Sequence, residues 1–305
     1  MSVVINRLVA ASSVLCHAGR GHGHGHGRQL GTWAVLLILL TGLWQPVQAQ
    51  PPQTSRSAPA PVCQKPLYLT LDTGHMGVAP LVAEVLQRQQ VRVTFFAAHE
   101  RTLEGDGSLG TYWAAWWRAR AAEGHAFASH THDHAYWQGE HPDGSFRIRP
   151  SSGPQAGQRL RWRVADYCAN LDQASARLFA LTGQAPLPLF RAPGGRHSPA
   201  LLQAAQACGY QHVGWSDAGF LGDELPSDRY PNARLLAQAL ARIRTGDILM
   251  AHLGIWSRQD PWAPAVLEPL IEGLKARGFC FATLREHPQW RDWIVRHPLV
   301  LKPAS

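Results

Sequence analysis

The chain has 305 residues, of which 45% are hydrophobic and 16% charged. That is apolar enough for a full globular core and unlike a disordered or collagenous protein. The formal charge of +8 comes without a basic run or a zinc-finger spacing, which argues against nucleic-acid binding, while a modest positive excess suits an anionic envelope polymer.

Residues 32–44 (T-W-A-V-L-L-I-L-L-T-G-L-W) form a short apolar run behind Arg28 and ahead of V-Q-A at 47–49. This is the pattern of an export signal cleaved after Ala49, so residues 1–49 read as a signal peptide and the mature protein as periplasmic or secreted. The run is short for a stable membrane span, and an uncleaved anchor is the alternative. Leu15 before Cys16 stands where a lipoprotein signal needs a small residue. The tract G-H-G-H-G-H-G at 21–27 precedes the apolar run and leaves with it; metal storage is its other reading. Cleavage removes three arginines and no acid, bringing the net charge to +5. Residues 50–62 are rich in Pro, Ser and Ala and read as a flexible tether, which leaves 63–305 as one catalytic domain.

From there, short apolar runs alternate with helix-length segments. Strands are expected at 67–71, 93–97, 126–129, 189–191, 212–215, 248–251 and 279–283. Helices are expected at 80–89, 111–123, 161–181, 199–208, 233–242 and 264–277. The alternation predicts β-α units around a mostly parallel sheet, and seven strands in this rhythm favour a barrel over an open sheet. Cys63, Cys168, Cys208 and Cys280 are widely spaced without a C-x-x-C, which allows one or two disulfides in an oxidising compartment and leaves their pairing open.

Polar clusters fall just after predicted strands: Asp72 to His75, His130 to His134, Arg191 to Arg196, Ser216 to Asp217, and His252. In parallel α/β folds those strand ends converge on one face, where sites are built. In A-S-H-T-H-D-H (128–134), His130 and His134 are four apart, so on a turn of helix both imidazoles reach one ion, and imidazole suits zinc or another late divalent metal. A polar loop is the alternative. Asp72 leaves a strand and either binds such an ion or takes a proton from water, unless it merely shapes an Asp-x-Gly turn. Arg191 stands at a strand end where it can hold a carboxylate ionised, His252 can protonate a leaving group, and Asp217 can raise a histidine's basicity. Each has a structural alternative as an ion pair, a buried histidine or a turn cap.

Taken in order, these clusters resemble the five motifs of the polysaccharide deacetylase family, the NodB-homology or carbohydrate esterase family four fold, over about residues 66–283. His130, Thr131 and His134 match H-[ST]-x-x-H; Arg191, Pro193 and Gly195 match R-x-P-x-G; T-F-F at 94–96 is also typical. The resemblance implies a distorted seven- or eight-stranded β/α barrel with Asp72 as general base, His130 and His134 as ligands of a divalent metal such as zinc, Arg191 orienting the base, and Asp217 tuning His252 as general acid. It implies that acetyl groups leave nitrogen or oxygen atoms of an acetylated polysaccharide or oligosaccharide. The first motif departs from T-F-D-D-G: Thr73 stands where the family places a carboxylate ligand, so either Asp72 contacts the ion, or His75 swings in, or the site is weak or empty. In the fourth motif Phe220 stands where a Trp is usual, and Asp217 alone of two acids is evident. Two other readings follow: hydrolysis of a non-peptide C–N bond in a small amide on the same fold, or a carbohydrate-binding protein without catalysis. Trp113, Trp116 and Trp117 at helical spacing read as core. Trp137 is a candidate for stacking on a sugar ring, and the polar insertion at 139–157 for a groove wall or a plain loop.

Overall fold

A computed structural model of the protein describes residues 63–301, apart from Gln259 and Pro264. The expected signal peptide, the histidine-glycine tract and the tether lie outside the described residues.

The apolar run P-L-Y-L-T-L-D forms β1 (Pro66–Asp72). Strand alternation sends Leu67, Leu69 and Leu71 outward into a core shared with Val82 and Val85 of α1 (Ala79–Arg88). Tyr68 faces the opposite side with Phe96, Ala128, Leu189 and Val213. Both faces of the strand are buried, as a central parallel strand requires. Its neighbours are β2 (Thr94–Ala97) on one edge and β9 (Ile248–His252) on the other. Beyond β2 the parallel order continues through β3 (Ala126–Ser129), β7 (Leu189–Phe190) and β8 (Gln211–His212). With β10 (Cys280–Phe281) paired to the start of β1, the sheet has seven strands. The ring closes without a further regular strand. Leu221 N–H donates to Met250 O, Met250 N–H to Gly219 O, and Ser216 N–H to Ile248 O, so the segment after β8 covers the free edge of β9. This is the barrel expected from the alternation, with the distortion that the family resemblance implied.

The remaining crossover helices are α2 (Ala114–Ala122), α3 (Val164–Thr182), α4 (Pro199–Ala207), α5 (Asn232–Arg242) and α6 (Leu267–Ala276). Trp117 is fully buried and Trp113 nearly so, on the core side of α2, as their spacing implied. A short α7 (Arg291–Arg296), absent from the sequence expectations, follows residues that plug one end of the barrel: Leu284 and Trp290 join the inner core, and His287 stacks edge-on against Tyr68 at 4.4 Å.

Two features differ from expectation. The insertion at 139–157 is no loop: β4 (Ala135–Glu140), β5 (Phe146–Pro150) and β6 (Leu160–Trp162) form a separate antiparallel sheet. Phe146, Ile148 and Pro150 alternate inward, a period-2 pattern hidden among Arg and Gly. The strand expected at 212–215 stops at His212, because the carbonyls of Val213 and Gly214 accept from the Arg191 guanidinium instead of a neighbouring strand. The cysteines pair as Cys63–Cys280, tying the chain before β1 to β10, and Cys168–Cys208, tying α3 to the end of α4. Both Cα separations are 5.9 Å, within the usual span of a disulfide.

Candidate active site

Parallel register sets the level of the site. Asp72 ends β1 directly opposite His252, the last residue of β9, and opposite Phe96 on β2. The ladder continues past the strand ends as His130 N–H donates to Ala97 O and Arg191 N–H to Ser129 O. Asp72, His130, Arg191 and His252 therefore share the C-terminal rim of the barrel. Close backbone approach holds the β1 and β9 ends together: a Cβ on Gly74 would lie 2.0 Å from Gly254 O. Asp72, Glu100, His130, His134, Tyr136, Ser151, Trp215, Glu224, His252 and Trp256 line one open cleft of about 600 Å³, a size suited to a small ligand or a few sugar units.

Arg191 is fully buried, yet each of its three nitrogens donates. Nη1 donates to Asp72 Oδ1 at 2.6 Å, Nε to Val213 O at 3.1 Å and Nη2 to Gly214 O at 3.0 Å. The guanidinium also lies 4.2 Å from the Phe96 ring centre. Burial lowers the Arg191 pKa and the Asp72 carboxylate opposes that shift; an arginine so placed stays cationic. The R-x-P-x-G turn supports it. Gly195 has φ 65°, and a Cβ there would meet the Trp215 ring at 2.8 Å, so the conformation and the packing both require glycine.

His130 Nδ1 donates to Arg191 O at 2.8 Å, which leaves Nε2 unprotonated with its lone pair free, 3.6 Å from Asp72 Oδ2. Burial above all, then the neighbouring His134, holds its pKa well below the usual histidine value, so the ring is neutral. His134 Nδ1 lies 2.6 Å from the Ser151 hydroxyl, and the two rings are 4.9 Å apart edge to face. Their spacing suggested a helical turn, but the chain makes a tight loop with left-handed Thr131 and His134 (φ 56° and 48°). The Thr131 hydroxyl accepts from Ala135 N–H at 2.8 Å, and Asn170 clamps Asp133, so side chains replace the helix's own bonds. His132 turns away to His99.

Both imidazoles have Nδ1 bonded within the protein and Nε2 available, the orientation of histidines that ligate metals. They fit a divalent ion as two of its ligands. Among the described residues no three His, Cys, Asp or Glu side chains are already gathered at metal-binding range. Thr73 is buried and its hydroxyl donates to Glu100 Oε2 at 2.5 Å. His75 does not join the pair: it lines a smaller neighbouring pocket with Asp223 and Arg258, its Nδ1 accepts from Gly77 N–H at 3.0 Å, and its ring meets Trp256. The turn after Gly74 rotates it away from His130.

The carboxylate partner of His252 is not Asp217, which is exposed and makes no hydrogen bond or ion pair among the described residues. Asp223 takes that place. Its carboxylate accepts from His252 N–H at 2.7 Å and lies 3.2 Å from His252 Nδ1. Burial works against protonation, but Asp223, with Asp72 and Glu224 adding, outweighs it and pushes the His252 pKa up to about 9. Glu224 lines the cleft beside it, its own pKa raised by burial. Sequence reading missed Asp223, Glu224 and Glu100, although E-L and the acids at 223–224 were a signal in an otherwise apolar stretch. Trp215, rather than Phe220, joins Tyr136 and Trp256 on the cleft wall. Trp137 points into the core formed with Tyr167 and Leu171, because strand alternation gives the cleft to Tyr136.

The polysaccharide deacetylase family model matches residues 60–213. A chitooligosaccharide deacetylase of Azorhizobium caulinodans is 26% identical over 231 residues, covering 72% of this chain and 93% of that protein. Among solved structures, a family 4 acetyl xylan esterase from Clostridium thermocellum in complex with a cobalt ion superposes with a TM-score of 0.56 at 21% identity, over 75% of this chain and 92% of that one. A family pseudoenzyme from Bacillus anthracis has the same fold, with a TM-score of 0.52 at 15% identity over 73% of this chain and 65% of that one. The chain belongs to the polysaccharide deacetylase family, hydrolases that act on the acetyl groups of carbohydrates.

Proposed function

We propose that the protein is an exported, metal-dependent deacetylase that removes N- or O-acetyl groups from a cell-envelope or environmental polysaccharide. The observation that carries this reading is the convergence of an Arg191-bound Asp72, two imidazoles with free Nε2 atoms and a protonated His252 on one open cleft.

His130 and His134 would hold the ion. A divalent metal there supplies Lewis-acid polarisation of the acetyl carbonyl and activation of water. Asp72, with Oδ1 fixed by Arg191, has Oδ2 available to take the proton of the attacking water. His252 is protonated at neutral pH and would give its Nε2 proton to the departing nitrogen or oxygen, becoming neutral while its Nδ1–H stays directed at the Asp223 carboxylate. Tyr136, Trp215 and Trp256 offer ring surface along the cleft for sugar faces. Two disulfides suit an oxidising compartment, which supports the expectation of export.

The test is acetate release by the purified protein from N-acetylated chitooligosaccharides, peptidoglycan fragments and acetylxylan, before and after chelation and metal return. Activity is expected on at least one, lost on chelation and lost in His130→Ala. Activity that survives exhaustive chelation favours the small-amide reading, and tight oligosaccharide binding with no acetate from any of them favours the binding protein.

A further inference from the structure

We propose that Glu100 is the protein carboxylate that completes, with His130 and His134, the divalent-metal site, standing in for the acid missing at Thr73. The inference rests on the metal-dependent reading above and concerns which side chain serves it.

Glu100 follows β2, the strand beside β1, and lines the same cleft as both histidines. It is placed by a set of bonds that a mobile surface acid lacks. Ser108, fully buried, accepts from Glu100 N–H at 2.8 Å and donates its own N–H to Glu100 O at 2.9 Å. Thr73 completes the cradle: its hydroxyl accepts from Ala98 N–H at 3.0 Å and gives its single proton to Glu100 Oε2. The position expected to ligate thus holds the side chain that can, as outer partners of metal ligands do.

Charge points the same way. No Lys, Arg or His forms an ion pair with Glu100 among the described residues, whereas Asp72 has Arg191 and Asp223 has His252. Glu100 is a half-buried carboxylate that lines the same cleft as the two imidazoles. Asp72 gives Oδ1 to Arg191 and keeps Oδ2 for the proton of the attacking water, and His75 faces the neighbouring pocket. A glutamate one strand over, longer by one methylene, replaces an aspartate at the end of β1.

Titration of the metal-stripped full chain with Zn²⁺ and Co²⁺, followed by calorimetry and by the visible spectrum of bound Co²⁺, tests this without any substrate. Wild type is expected to bind one equivalent. Glu100→Gln should weaken binding by more than about 100-fold, and Thr73→Val by only about tenfold, since loss of an outer partner costs about 10- to 100-fold. The double variant Glu100→Gln with Thr73→Asp returns the carboxylate to β1 and should recover most of the affinity, which also separates ligand loss from misfolding. Glu100→Gln that binds within about threefold of wild type overturns the assignment and leaves the metal-dependent reading standing. A double variant no better than Glu100→Gln overturns the exchange of positions. Wild type that binds neither ion overturns both the assignment and the metal-dependent reading.

Discussion

Asp72 with Arg191 and His252 with Asp223 are both buried pairs of a cation and a carboxylate, and they stand on neighbouring strands of one cleft. In the first, the cation is an arginine whose three nitrogens each donate and the carboxylate keeps one oxygen free. In the second, the cation is a histidine that holds its proton only because Asp223 outweighs burial. The first pair is fixed by hydrogen-bond geometry, the second by the balance of charge against burial. One cleft thereby presents a fixed base and a titratable acid, the separation that proton transfer in two directions requires.

The largest effect should come from the fixed pair. Arg191→Met leaves the Asp72 charge and two carbonyls buried without partners and should destabilise the fold by about 3–5 kcal/mol, measured by urea unfolding. A loss under about 1 kcal/mol would mean that the pair is not what holds the strand ends together.

The titratable pair should show itself in pH dependence. With a folded pKa of about 9 against an ordinary 6.5, His252 contributes stability that is full below pH 6.5 and lost as pH rises through about 9. Acetate release should fall over the same upper limb as the acid loses its proton. Asp223→Asn should move the basic limb of kcat/KM down by more than about one pH unit and flatten the stability change between pH 6.5 and 9. An unmoved limb would dissolve the contrast between the pairs.

The smallest effect is expected from Asp217→Asn. This exposed side chain touches neither pair, so stability should stay within about 0.5 kcal/mol and the basic limb should stay where it is. A downward shift of the limb would return Asp217 to the role its place in the sequence suggested.

That misplacement shows where sequence reasoning stops. Asp217 follows the strand as a motif member should, but the segment after it folds back along β9 and brings Asp223 to His252. Trp137 was chosen for being next to the histidines, yet a strand alternates its faces and Tyr136 received the cleft. The second sheet at 135–162 was missed because its inward Phe, Ile and Pro are separated by arginines whose polarity reads as loop.

By itself the sequence determined the β-α rhythm, the barrel class and the rim positions of Asp72, His130, Arg191 and His252, because strand length and hydrophobic period act locally and parallel strands must end on one face. The pairing of Arg191 with Asp72 was expected and is present, whereas other pairings were decided by tertiary structure alone. Glu100 beside Thr73, Asp223 under His252 and the cysteine pairs join residues 27, 29, 217 and 40 positions apart. Which donor meets which acceptor across such distances depends on register and on loops folding back, and neither leaves a periodic trace in the chain.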